Sequence, residues 1–140
     1  MRRRRERLCG ILVEAGASTL LGGEIERRTA NYEAPLPGLP CEFHRRDRTG
    51  ETVFLMVASS PQLPVKAYFR EQQEKARREG RKGVQEEKTL GVPALLETSS
   101  KDRFTVLALK GETLVWIELD MHALDLGAFR SFAKRVLSLL

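Results

Sequence analysis

The sequence predicts an α+β fold, in which an antiparallel β-sheet built from two hairpins is covered by three amphipathic helices. Two segments, 53–58 and 114–117, are apolar at every position, which is typical of strands that are covered on both faces. They belong to predicted hairpins at 41–59 and 103–120, and a helical pattern of apolar residues follows each hairpin. Because both faces of these strands need cover, the helices are expected to pack on the sheet.

The first helix is predicted within 8–21, where apolar residues recur at helical spacing. The glycines at 22–23 end it, since glycine readily adopts the left-handed conformation found after helices. Arginine-rich residues 1–7 are predicted to form a basic N-terminal tail in front of a single domain, 8–140. The tail and the apolar residues after it also resemble an export signal, but Glu14 interrupts them and no cleavage pattern follows, which favours a folded helix.

The middle of the chain predicts a short strand, a crossing and the first hairpin. The strand is expected at 24–29. Three prolines and a glycine in 31–40 exclude a helix or an inner strand, so this segment is predicted to cross the surface. Strands at 41–46 and 51–59 then form the hairpin, with its turn at 47–50.

The second helix is predicted to follow Pro64, whose fixed φ suits a first helical turn, and to end at Gly80. Short strands at 84–88 and 93–98 are expected before the second hairpin. Asp125 is predicted to cap the last helix. The inner face of that helix is predicted to consist of Leu126, Phe129, Phe132, Ala133, Val136, Leu137 and Leu140.

The tripeptide Gly-Glu-Thr occurs at 50–52 and again at 111–113, and the apolar pattern of the hairpin and helix agrees along the same 61-residue offset. One interpretation is an internal repeat of a hairpin-helix unit. The other is that two unrelated hairpins share their turn chemistry. Both interpretations predict the same helices and strands.

Composition indicates one soluble globular domain. The chain has 140 residues, of which 41% are hydrophobic and 31% are charged. No apolar stretch is long enough to cross a bilayer. Arginine outnumbers lysine and there is a single asparagine, a profile typical of thermophiles or GC-rich genomes.

A net charge of +5 and a pI near 9.6 make nucleic acid a possible partner. Single strands would also need exposed aromatic residues, whereas the aromatic residues here occupy predicted core positions. The basic cluster at the end of the second helix is explained equally well by the helix dipole. Nucleic-acid binding is therefore the alternative function. Its candidate residues are Arg45, Arg46 and Arg48 at the tip of the first hairpin, and Arg77, Arg78, Arg81 and Lys82 after the second helix.

No catalytic residue, metal site or cofactor is predicted. His44 and His122 have no second histidine or cysteine at ligand spacing. The sequence has no Gly-x-Ser-x-Gly turn, and 80–83 lacks the strand and helix that flank a phosphate-binding loop. Several carboxylates show no spacing that pairs them for acid-base chemistry and are predicted to be solvated: Glu86, Glu87, Glu97, Asp102, Glu118 and Asp120. The sequence therefore does not indicate an enzyme.

Several short motifs occur along the chain in an order that is found in a known group of domains. Cys9 opens the first helix, which closes on Leu-Gly-Gly at 21–23, and Cys41 opens a strand after the proline-rich crossing. Gly-Val-Pro-Ala at 91–94 leads to the last hairpin. This order, over nearly the whole chain, resembles the small bacterial secreted and lipoprotein domains of PsbP-like fold, although Val13 stands where those domains often have a capping Ser or Thr. The resemblance implies a non-catalytic module that binds or assembles with a protein partner or a small ligand.

The resemblance also implies that Cys9 and Cys41 lie close together, since similar domains join the first helix to the strand after the crossing by a cystine. Such a bridge contributes on the order of 3 kcal/mol. The alternative is a pair of buried, reduced thiols in a cytosolic protein. No signal peptide or lipobox precedes Cys9, which predicts the cytoplasm, or the cell envelope or exterior if a leader has been omitted.

Overall fold

Seven strands and four helices make up the described part of this computed structural model, which covers residues 2–28, 38–59, 64–80 and 83–140, with side chains from Glu6 onward. In chain order the elements are α1 (Arg2–Glu14), α2 (Ala17–Leu21), β1 (Ile25–Arg27), β2 (Leu39–Arg45), β3 (Arg48–Ser59), α3 (Val65–Glu79), β4 (Val84–Glu86), β5 (Ala94–Ser100), β6 (Arg103–Lys110), β7 (Thr113–Asp120) and α4 (Leu126–Leu139). None of these helices is both long and apolar enough to span a membrane.

The strands form one antiparallel sheet in the order β1-β2-β3-β7-β6-β5-β4. The hairpins β2-β3 and β6-β7 share this sheet, because β3 pairs with β7 at its centre. The predicted α+β class and antiparallel sheet are confirmed. The structure has a fourth helix beyond the predicted three. Three further strands join the two hairpins, β1 and β4 at the sheet edges and β5 between β4 and β6, near the strands expected at 24–29, 84–88 and 93–98.

Each face of the sheet carries its own hydrophobic core. Helices α1, α2 and α4 cover one face, here called the three-helix face, where Val53, Leu55 and Ile117 are fully buried. Helix α3 covers part of the other, here called the α3 face, through Val65 and Phe69. Consecutive strand residues point to opposite faces, so the apolar run 53–58 supplies both cores. The prediction that this strand is covered on both sides is confirmed.

The first helix differs from its prediction. Gly16 has φ +100°, a conformation that L-residues rarely adopt, and it separates α1 from α2. A single helix over 8–21 is therefore wrong, because helical spacing of apolar residues continues across a glycine that turns the backbone. Helix α1 already begins at Arg2, so residues 2–7 are helical and continuous with the residues that follow. Gly22, with φ +79°, ends α2 as predicted.

Strand β2 begins at Leu39, two residues before its predicted start, and includes Pro40 opposite Met56. Proline lacks an N–H and is tolerated in a strand at an open edge. Among the described residues, β1 pairs with β2 only from Phe43 to Arg45, so no described strand lies beside Pro40 at this edge. The rest of the predicted crossing, 29–37, lies outside the described residues. The hairpin turn is at 46–47, earlier than predicted.

The last helix begins as predicted. Asp125 is its N-cap, and the Asp125 Oδ1 accepts a hydrogen bond of 3.1 Å from the Ala128 amide. The predicted inner face is buried at five of its seven positions and half-buried at Leu126 and Leu140. Phe129 packs against Phe104 with ring centroids 5.6 Å apart. Helix α4 is thereby anchored on the three-helix face.

The 61-residue offset does not relate two superimposable units. Val53 and Leu55 lie on the three-helix face, whereas their counterparts Leu114 and Trp116 lie on the α3 face. A rotation that carries a strand onto its antiparallel neighbour keeps every side chain on its own face. The interpretation that fits this geometry is shared turn chemistry, not a rotational repeat.

Candidate functional site

The predicted basic cluster at the tip of the first hairpin is largely paired with carboxylates. Arg45 Nε lies 2.6 Å from Asp47 Oδ1, and Arg46 lies 3.0 Å from Glu24 Oε2. Arg48 is 3.6 Å from Glu51 Oε2. Each of these three arginines thus has an acidic partner nearby, which lowers the positive potential that the tip presents to a phosphate backbone.

The second basic cluster is described only in part. Arg77, in the last turn of α3, forms an ion pair with Glu86 on β4. Arg78 is exposed in the same turn. Arg81 and Lys82 lie outside the described residues. The described part of the cluster does not join the first hairpin's arginines into a single basic surface, since Arg77 is engaged with the far edge of the sheet.

Neither histidine has the surroundings of a metal ligand. On β2, His44 Nε2 lies 3.7 Å from Glu26 Oε2 and its Nδ1 lies 3.0 Å from the Arg45 carbonyl. His122 is exposed after β7. Across the described ranges, no group of three or more His, Cys, Asp or Glu side chains is arranged to hold a metal ion.

An unpredicted cluster of polar side chains occupies one end of the α3 face. Residues in direct register on neighbouring strands share a face, so the pairing places these side chains in two adjacent rows that cross the sheet. We call these two rows the polar half. The first row is Glu42, Phe54, Glu118, Thr105 and Glu97, and the second is Glu26, His44, Thr52, Asp120 and Arg103.

The rest of the α3 face is apolar and lies under α3. Met56, Leu107 and Leu95 form its next row and belong to the same core as Val65 and Phe69. Trp116 stands in this row, two residues before Glu118 on β7, and is half-buried. It therefore lies at the border between the apolar core and the polar half. The Trp116 Nε1 atom is buried and lies outside strict hydrogen-bond geometry, but its N–H interacts with the Glu118 carboxylate and lowers the pKa of that group.

Two carboxylates of the polar half are poorly compensated. The side chains of Glu42 and Glu118 are only 11% and 20% exposed, yet their ion pairs, to Arg28 and Arg103, are long, at 3.5 and 3.8 Å. Burial raises the pKa of Glu42, and the Arg28 charge only partly offsets this. Burial likewise raises the pKa of Glu118 despite Arg103 and the nearby Trp116 indole. Both groups are therefore costly to hold in their charged form.

Glu87, a fully buried glutamate, shows the opposite behaviour and serves as an internal comparison. Glu87 is 5% exposed, but it accepts hydrogen bonds of 2.7 Å from Thr89 Oγ1 and 2.8 Å from Arg130 Nε. Burial alone would raise the pKa of Glu87, but the hydrogen bonds from Thr89 and Arg130 outweigh it and hold that pKa below its usual value. Glu87 is a structural carboxylate whose partners are supplied by the fold.

Asp120, the neighbour of Glu118 on β7, is better matched, because its Oδ1 accepts a hydrogen bond of 2.6 Å from Arg103 Nε. Glu26 has Arg46 Nε only at 3.7 Å, but its side chain is 53% exposed and is therefore solvated. The polar half can therefore attract a positively charged group. That group would bind at Glu42 and Glu118, whose ion pairs within the fold are long.

The prediction of solvated surface is wrong for Glu87, which is buried, and for Glu118, which is half-buried because strand pairing places it between Phe54 and Thr105. The sequence contains a local pattern that indicates a shared polar face. Polar residues alternate at Glu42 and His44 and again at Glu118 and Asp120, which is the spacing of side chains on one face of a strand. Only the register across β2, β3 and β7 brings the two pairs together.

An open cavity of about 450 Å³ lies between α3 and the connection from β4 to β5, lined by Gln73 and by residues 86–88 and 91–94. Its two glutamates are already engaged, Glu86 with Arg77 and Glu87 with Arg130. The cavity therefore offers less uncompensated charge than the polar half.

On the three-helix face, a disulfide joins Cys9 of α1 to Cys41 of β2, with a Cα separation of 5.5 Å. Both cysteines are buried, at 6% and 3% exposure. The bridge lies on the side of the sheet opposite the polar half, so it fixes the scaffold without entering the site. Comparison of the chain with protein-family models, with curated proteins and with solved structures finds no match in any of the three.

Proposed function

We propose that this protein is a non-catalytic binding module of PsbP-like type, and that its ligand binds to the polar half of the α3 face. The observation that carries the proposal is the pair Glu42 and Glu118, which flank Phe54 in one row and are half-buried with only long ion pairs. A fold has no structural reason to bury charges that it does not compensate. A ligand that supplies the missing positive charge gives such a reason.

The PsbP-like classification rests on the sequence resemblance, with which the disulfide between Cys9 in the first helix and Cys41 in β2 is consistent. The ligand of such a module is a protein partner or a small molecule. The polar half has a largely acidic character, which distinguishes it from a surface for phosphates.

We expect Glu118→Gln to stabilise the protein near neutral pH, by roughly 0.5–1 kcal/mol or about 2–3 °C in melting temperature. Burial raises the pKa of Glu118 above 4.5, so the folded state favours the protonated form. Stability therefore falls as pH rises from about 4.5 through the folded pKa. The neutral amide avoids this loss. The gain is present near neutral pH and disappears at about pH 4, as thermal unfolding at both pH values would show.

Glu87→Gln is the matched control, because it makes the same chemical change at a buried glutamate with good partners and is expected to destabilise. The proposed function fails if Glu118→Gln also lowers the melting temperature near neutral pH, since Glu118 would then be a structural carboxylate like Glu87.

Nucleic-acid binding is the alternative function, and the arginines predicted from the sequence would be its contact residues. Duplex DNA retention at low salt that is lost when Arg45, Arg46 and Arg48 are changed to Glu would favour it. We expect these changes to have little effect on retention, because each of the three side chains already lies beside a carboxylate.

A further inference from the structure

We draw no further inference here: the strongest candidate, the cluster of carboxylates Glu42, Glu118 and Asp120 on the α3 face, belongs to the site already described, and no second feature of the described residues indicates which ligand it binds.

Discussion

Replacing Cys9 and Cys41 together by alanine is expected to lower the melting temperature by about 10 °C, which corresponds to roughly 3–4 kcal/mol in a domain of this size. The bridge closes a loop between residues that are 32 positions apart in sequence, and removing it restores conformational freedom to the unfolded chain. In the folded state it ties α1 to β2. The loss of two buried sulfur atoms adds a packing cost, because the surrounding core only partly closes over the space.

Reducing the wild-type protein separates the stabilisation by the covalent bridge from the packing contribution of the two sulfur atoms. Thermal unfolding with and without a thiol-free reductant measures the bridge alone, and intact mass before and after reduction shows whether two hydrogens are gained. A melting temperature that is the same with and without reductant would show that the bridge does not stabilise the fold. An oxidised pair in protein taken directly from its cells would place the protein in an oxidising compartment, since reducing compartments keep such thiols free.

Local sequence patterns predicted most of the elements. The apolar runs at 53–58 and 114–117 identified the two central strands, because strands covered on both faces lack alternation. Asp125 was identified as an N-cap because a capping side chain accepts a hydrogen bond from an amide only two or three residues further along the chain. Gly16 was not identified as a break, because the apolar residues on both sides keep helical spacing and only the backbone conformation distinguishes two helices from one.

The candidate site was harder to predict, because it depends on pairing between distant strands. Glu42 and Glu118 are separated by most of the chain and meet only because β3 lies between β2 and β7. The two basic clusters were easier to see, since they are contiguous in sequence. Sequence proximity made them candidates, but the first hairpin's arginines each lie beside a carboxylate that the sequence alone did not assign to them.

The placement of the polar half follows from how the helices cover the sheet. Three helices occupy the three-helix face, whereas α3 covers the other face over β6 and β7 near Leu107 and Leu114. The rows beyond α3 therefore carry polar residues on this face while the same strands stay apolar on the opposite face. A site on a sheet has a practical advantage, since regular strands hold side chains more rigidly than loops do.

Changing Glu87 to Gln is expected to lower the free energy of unfolding by about 2 kcal/mol near neutral pH, which is the usual cost of losing a buried charge-assisted hydrogen bond. Glu87 follows β4 and accepts from Thr89 and from Arg130 of α4, at 2.7 and 2.8 Å. It thus joins the edge of the sheet to the helix that completes the three-helix core. A glutamine in its place has one oxygen instead of two and no charge to offer Arg130.

The pH dependence identifies the cause of this loss. The pKa of Glu87 lies below 4.5 in the folded state, so its contribution is present above about pH 4.5 and is lost as pH falls through the folded pKa. Wild type and Glu87→Gln should therefore converge in acid. Arg130→Met, which removes the guanidinium group and keeps an unbranched side chain up to the ε position, should show the same destabilisation near neutral pH. A deficit of Glu87→Gln that stays constant down to acid pH would contradict the electrostatic origin, because only an ionised Glu87 makes these bonds strong.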